Sequence, residues 1–127
     1  MEKWIYFGIF LDNPSKNRLR MYFNIPEGWK RYGDHVTLCF NDGSELSKVA
    51  AEINAGHAGV KCSIRVTGIG ISENAVALRA QLPVGVVCTN KVAHITIGCK
   101  NKPVDSNAIE IWHDINSFTL YGEINVK

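Results

Sequence analysis

"GDHVTLCF", residues 33–40, returns in a second form as "AHITIGCK", residues 93–100. In each, a run of alternating apolar residues is marked by a histidine and a threonine two positions apart. Side chains alternate across a β-strand, so this spacing puts both polar groups on one face. His35, Thr37 and Cys39 are expected to point one way, with Val36, Leu38 and Phe40 pointing the other. In the second stretch His94, Thr96 and Gly98 oppose Ile95, Ile97 and Cys99. Each strand can therefore bury its apolar face and present an imidazole and a hydroxyl on the other.

Working outward, "KWIYFGIFL" (3–11) is aromatic and β-branched and reads as a buried first strand. After "DNP", residues 15–23 suit a short helix with Leu19, Tyr22 and Phe23 on one side. "NIPEGWKRYGD" carries a proline and two glycines and reads as a loop before the strand at 35–41. "DGSELSKVAAEINAG" has the signals of a helix. Asp42 and Glu45 form a potential capping box with Ser44 as a competing cap, and Gly56 suits the C-terminal stop. Leu46, Val49, Ala50 and Ile53 then make its apolar face. Two alternating strands, 60–70 and 74–82, follow, with Val60, Cys62, Ile64 and Val66 on one face and "SEN" as a hairpin turn. The strand at 92–98 leads to a second helix from Asn107, capped with Glu110, to about Ile115. The chain closes on a strand whose Phe118, Leu120, Ile124 and Val126 share a face. The faint duplication of strand and helix predicts an α+β class, mainly antiparallel, with two similar lobes and a single domain over residues 1–127.

Composition narrows the function classes. The 127 residues are 46% hydrophobic and 20% charged, ordinary for a soluble globular chain. No apolar run approaches the roughly 20 residues of a membrane span, and "MEKWIYFGIF" has neither the length nor the flanks of a signal peptide. The four cysteines (39, 62, 88 and 99) show no CxxC pair, which favours a reduced, cytoplasmic protein. A formal charge of +2 is too small for a duplex nucleic-acid binder. Lys16, Arg18, Arg20, Lys30 and Arg31 cluster ahead of the first His-x-Thr, either as a solvated face or as an attractor for an anionic ligand.

Two imidazoles and two hydroxyls facing one groove suit the cleavage of a phosphodiester. One histidine serves as general base and the other as general acid, since both titrate near neutrality. The threonine hydroxyls can donate to the non-bridging oxygens, where charge builds in the transition state.

At this point the sequence resembles the two-histidine (2H), or LigT-like, phosphoesterases, which are defined by paired H-x-[ST]-apolar motifs. It is most similar to the cyclic phosphodiesterase domain of plant-type tRNA ligases and related RNA-repair proteins. The matching stretches are "YFGIFLD" (6–12), "DHVTLCF" (34–40), "RVTGIG" (65–70), "AHITIG" (93–98) and "KPVDSNAI" (102–109). The resemblance implies a bilobal fold with pseudo-twofold symmetry, a central cleft and helices on the outside. It implies metal-independent phosphodiester cleavage with no cofactor. His35 and His94 match the catalytic histidines, and Thr37 and Thr96 the phosphate-binding hydroxyls. Tyr6 matches an aromatic near the base or sugar, and Tyr121 and Trp112 are further ligand candidates.

The substrate divides two ways. One is a 2′,3′-cyclic phosphate on RNA or a nucleotide. The other is a cyclic di- or oligonucleotide signal, as cleaved by small viral enzymes that blunt antiviral signalling; a stand-alone domain leans toward this one, acting in the host cytoplasm. No membrane and no obligatory protein partner is implied. Three rivals remain. A zinc site would use His35, Cys39 and His94, although their separations lack the close paired spacing of zinc modules. A dinucleotide fingerprint at "GIGIS" lacks a following helix. A non-catalytic nucleotide- or RNA-binding module would use the same cleft without needing an acid–base pair. His57 and His113 read as surface residues beside helix ends, and Asn107 as a helix cap.

Overall fold

The computed structural model describes residues 4–127. The first strand, β1 (Tyr6–Leu11), is followed by α1 (Asn13–Tyr22), β2 (Lys30–Arg31), β3 (His35–Phe40) and α2 (Glu45–Ala55). The second half contains β4 (Lys61–Ile71), β5 (Ala75–Gln81), β6 (His94–Cys99), a 3₁₀ turn (Pro103–Ala108) and β7 (Trp112–Val126). Lys3, the first residue of the expected opening strand, lies outside the described residues.

Local chemistry explains most boundaries. Asp12 caps α1 by accepting from the Ser15 amide at 2.9 Å, with Pro14 in the first turn, where its missing N–H costs nothing. Ser44, the competing candidate, caps α2 by accepting from the Ser47 amide, while Asp42 accepts from the Ser44 amide and hydroxyl. The "SEN" turn closes the β4–β5 hairpin, with the Ser72 backbone N–H donating a hydrogen bond to the Ala75 carbonyl.

Every strand pair is antiparallel, in the order β2-β6-β3-β1-β7-β4-β5, and an additional β5–β6 pairing closes the sheet on itself. The mixed helix-and-sheet class holds, with a small barrel-like sheet at its core and a few helices, and the expected division into two similar lobes is not evident in the strand pairing. The pseudo-twofold expectation rested on a second strand–helix unit, and that unit does not form. Residues 103–108 make only a 3₁₀ turn, and from Trp112 the chain joins β7, whose 15 residues pair along β4 and β1. Strand pairing over that length outweighs the weak helical signal of Asn107 and Glu110, so neither acts as a helix cap. His113 accordingly sits on β7 opposite Ile69, exposed. The "GIGIS" glycines lie within β4 and its end rather than at a helix start.

Ile9, Val36, Leu38, Ile64, Val66, Leu78, Ile95, Ile97 and Leu120 fill the interior with no solvent exposure, and Leu19 of α1 joins them. Val60 is exposed, so the expected β4 face begins to bury at Ile64. The α2 face is rotated from its expected setting. Ser47, Ala50, Ala51 and Asn54 are buried, whereas Leu46, Val49 and Ile53 face outward. Asn54 supplies the reason. Its side-chain amide donates to the Val87 carbonyl at 2.9 Å and accepts from the Val87 amide at 3.0 Å. This two-point bond to the 82–93 connection fixes the helix about its axis, and the small Ala50 and Ala51 let it sit close to the sheet.

The alternation in both His-x-Thr strands breaks at the same place. In β1–β3, Phe7 faces Cys39 but Gly8 faces Thr37, so Leu38 is an extra residue. In β5–β6, Val76 faces Gly98 but Ala77 faces Thr96, so Ile97 is extra. A bulge of this kind turns two consecutive side chains to one side. Leu38 and Cys39 therefore both enter the interior, and Phe40 emerges beside Thr37. Likewise Ile97 and Gly98 turn inward, while Cys99 packs on the opposite face against Ala75, Ala77 and Ile109. The predicted faces hold through the threonines and reverse beyond them. Cys39, the third ligand of the zinc alternative, is thereby turned away from the two histidines.

Candidate active site

β3 and β6 meet at Val36 and Ile95. Continuing that antiparallel register sets His35 opposite Thr96 and Thr37 opposite His94. Both motifs thus display their polar pairs on one outer face of the sheet, crosswise. Their four side chains line a single cavity of about 400 Å³, together with Tyr6 and Phe40.

The aromatic wall comes from β1 and β3. The Tyr6 ring lies 5.2 Å from the His35 ring and 5.4 Å from Phe40, and Phe10 stacks against His35 at 5.7 Å. Gly8 makes this convergence sterically feasible. A Cβ there would stand 2.9 Å from the Val36 carbonyl oxygen and 3.4 Å from the rings of both Tyr6 and Phe10. Burial pushes the Tyr6 phenol up, with a smaller contribution from the Asp34 charge.

His35 is held at both nitrogens. Nδ1 lies 2.6 Å from the Asp34 carboxylate, which can only accept, so Nδ1 carries the proton. Nε2 then faces the cavity, 3.1 Å from Thr37 Oγ1. Accepting from His35 holds the Asp34 carboxyl below the usual carboxylate range, against a smaller opposing effect of burial. Adjacent side chains on a regular strand point apart, so this contact needs a break in the backbone. The bend at Asp34, which follows Gly33 at φ +107°, supplies it immediately before β3.

His94 has a different environment. It is 7% exposed, and its Nδ1 donates to the Val92 carbonyl at 2.7 Å. Its Nε2 lies 3.0 Å from Ser106 Oγ, which also lies 2.7 Å from Thr96 Oγ1. Burial pushes the His94 imidazole below its ordinary value and the nearby His35 adds to this, while the Val92 carbonyl opposes it.

Three candidates from the sequence fall elsewhere. Tyr121 lines a separate cavity of about 730 Å³, on the far side of Phe10, with Lys61 and Glu123. Trp112 stands 6.1 Å from the His94 ring but borders a cleft of about 200 Å³ rather than the main cavity. The basic cluster is not part of the wall. Arg18 donates to the Thr119 carbonyl and lies against Tyr22 and Phe118, and Arg31 donates to the Phe23 carbonyl. Among the described residues, Lys102 is the lysine or arginine that lines the cavity.

Sequence reasoning missed Asp34, Phe40, Ser106 and Asn107, all of which line the cavity. Asp34 had a signal, as an acid beside a histidine after a glycine. Phe40 was assigned to the wrong face because a bulge leaves no mark in the alternation. Ser106 lay within "KPVDSNAI", with nothing in its spacing to say that the turn would fold back over β6.

Among the described residues no three His, Cys, Asp or Glu side chains converge as a metal site, and the four cysteines are free thiols. No helix among them is long and apolar enough to cross a membrane. A search of curated proteins finds no match. The model of one protein family, described as the fungal tRNA ligase phosphodiesterase domain, matches residues 15–125.

Proposed function

The chain belongs to the fungal tRNA ligase phosphodiesterase domain family, within the two-histidine phosphoesterases, and on that premise we propose that it opens 2′,3′-cyclic phosphates at the ends of RNA or nucleotides. The observation that carries this reading is the meeting of both His-x-Thr pairs in one cavity walled by Tyr6 and Phe40. The RNA-repair setting of the family supports an RNA-end substrate over a cyclic oligonucleotide signal.

The two environments divide the acid–base work. A neutral His94 keeps its proton on Nδ1, because the Val92 carbonyl can only accept. Its Nε2 lone pair, which meets the Ser106 hydroxyl at 3.0 Å, takes a proton from water once that hydroxyl turns to another acceptor, and burial favours the neutral form. His94 is the general base. His35 keeps Nδ1 protonated toward Asp34 and exchanges protons with a ligand through Nε2. His35 is the general acid. Water oxygen bonds to phosphorus as His94 takes its proton. The phosphorus bond to one ribose oxygen breaks as His35 protonates that oxygen. Thr37 and Thr96 donate to the non-bridging oxygens, and Lys102 attracts the anion. Tyr6 and Phe40 give the sugar or base an apolar surface.

One series of incubations tests this. The protein, with a chelator present, is offered nucleoside 2′,3′-cyclic phosphates, RNA ending in a cyclic phosphate, and a panel of cyclic oligonucleotides. Products are read by mass spectrometry. Conversion of the cyclic phosphates to monoesters is expected. Turnover of cyclic oligonucleotides alone would replace the proposed substrate. Tight binding without turnover would make the cleft a binding module, and loss of activity on chelation would restore a metal-dependent reading.

A further inference from the structure

Ser106 has no part in the two motifs, yet its hydroxyl touches the working atoms of the second one. Only 2% of the residue is exposed. Its Oγ lies 3.0 Å from His94 Nε2, 2.7 Å from Thr96 Oγ1 and 2.8 Å from the Pro103 carbonyl oxygen. A serine hydroxyl has one proton to give and two lone pairs to offer. With three neighbours, its proton can satisfy only one at a time.

Counting protons gives two consistent arrangements. When His94 is charged, Nδ1–H donates to the Val92 carbonyl and Nε2–H donates to Ser106, whose own proton goes to the Pro103 carbonyl. When His94 is neutral, Nε2 is bare, and the Ser106 proton rotates to it. Thr96 can donate to Ser106 in either arrangement. When a phosphate oxygen takes the Thr96 proton instead, the Ser106 hydroxyl can donate to Thr96. Apart from the proton that His94 gains or loses, only a hydroxyl rotation separates these states.

We infer that Ser106 is a positioning residue for the second motif, holding His94 Nε2 and Thr96 Oγ1 in one frame and exchanging donor for acceptor as His94 gains and loses its proton. The inference rests on the phosphodiesterase reading for its catalytic consequence, but not for its structural one. The 3₁₀ turn is thereby tied to β6 at the two atoms that act on the substrate. Gly or Ala at this position has no hydroxyl to make the connection.

The other charged groups around His94 leave this role to Ser106. On β3 the near group is His35. On β5 the cross-strand neighbour Arg79 donates to Thr67 and pairs with Asp114 of β7. On the turn, the Asp105 carboxylate accepts from the Lys102 amide, while the Lys102 side chain lines the main cavity. Lys91 and Glu110 border the smaller cleft on the other side of His94. None of these groups forms a hydrogen bond to Nε2 among the described residues.

The test compares wild type with Ser106→Ala, Ser106→Cys and Ser106→Thr. In ligand-free protein, ¹⁵N NMR follows the His94 ring through a pH titration. The charged ring loses a charge-assisted acceptor in Ser106→Ala, a larger loss than the neutral ring suffers. His94 is therefore expected to titrate at lower pH in that variant, and Ser106→Thr is expected to restore the wild-type midpoint. In turnover of a nucleoside 2′,3′-cyclic phosphate, Ser106→Ala is expected to lower kcat roughly 10- to 100-fold with little change in KM. The acid limb of its pH profile is expected to move with the NMR midpoint. If Ser106→Ala does not fold, Ser106→Cys carries the same expectation, since a thiol fills the space with a weak hydrogen-bonding group. An unchanged His94 titration in a folded variant overturns the inference whatever the activity. A shifted titration in a protein that turns over no substrate upholds the positioning and removes the proposed reaction instead.

Discussion

The two histidines share a motif and differ in nearly everything around it. His35 stands at the cavity mouth with its side chain 27% exposed, and its Nδ1 meets a carboxylate. His94 is 7% exposed, and its Nδ1 meets a backbone carbonyl. Beyond Nε2, His35 finds its own motif's threonine, whereas His94 finds a serine twelve residues away in sequence. Two copies of one short pattern thus acquire different burial and different hydrogen-bond partners. The motif supplies the groups, and the surroundings make them unlike.

The strongest way to break that comparison is to remove each imidazole in turn. His35→Ala and His94→Ala are each expected to lower kcat/KM by about 10²- to 10⁴-fold. The double variant is expected to be little worse than the poorer single one, because an acid and a base acting in one step are not additive. Steady-state kinetics on a nucleoside 2′,3′-cyclic phosphate decides it. Near-normal activity in either variant would end the paired mechanism.

The hydroxyls come next. Thr37→Val and Thr96→Val are expected to lower kcat by about 10²-fold each, the scale of losing one donor to a developing oxyanion. Equal losses would sharpen the view that the threonines are equivalent although the histidines are not. A loss confined to KM would instead make them ground-state contacts.

Asp34→Asn probes the charged side of the comparison. The amide can still fill the space but no longer offers a carboxylate to Nδ1, and kcat is expected to fall about 10-fold. The same substitution leaves His94 in place, so the acid limb of the profile is expected to stay where it was. Movement of that limb would mean that the assignment of base and acid is reversed.

The wild-type pH profile is a gentler test. Burial lowers the folded-state value of His94, so its neutral, base-competent form persists as pH falls through about 6.5, the ordinary histidine value. The acid limb of kcat/KM is therefore expected below that pH. An acid limb centred above it would exclude His94 as the base.

The smallest effect concerns stability. The Asp34 carboxyl is lowered chiefly by its bond to His35. Its contribution is present above the unfolded carboxylate value, about 3.9, and is lost as pH falls through the lower folded value. Thermal melts of wild type and Asp34→Asn should differ slightly near neutrality and converge only in strong acid. Asp34 is more than half exposed, so solvent screening keeps the difference small.

Much of this site was legible in advance, and the misses share a cause. His35, Thr37, His94 and Thr96 followed from a two-residue period, which is a property of the chain over a few bonds. Tyr6 was named through resemblance, and its ring lines the cavity beside His35. Tyr121 lines a different cavity, a placement set by the pairing of β7 along β1 and β4 that no local pattern records. The second helix failed because strand pairing with β4, about fifty residues earlier in the chain, competes with any local preference of residues 107–115. The outward face of α2 failed for a similar reason, since one side-chain amide, Asn54, bonded to a distant loop sets the rotation of the helix.

The sequence by itself determined that two strands would each carry an imidazole and a hydroxyl on one face, because alternation is enforced by backbone geometry alone. Tertiary structure decided the rest. It turned Cys39 inward and Phe40 outward at a bulge, gave one histidine a carboxylate and buried the other, and brought Ser106 onto Nε2. Burial and hydrogen-bond partnership are set by residues far apart in the chain, and those two quantities determine which nitrogen keeps its proton.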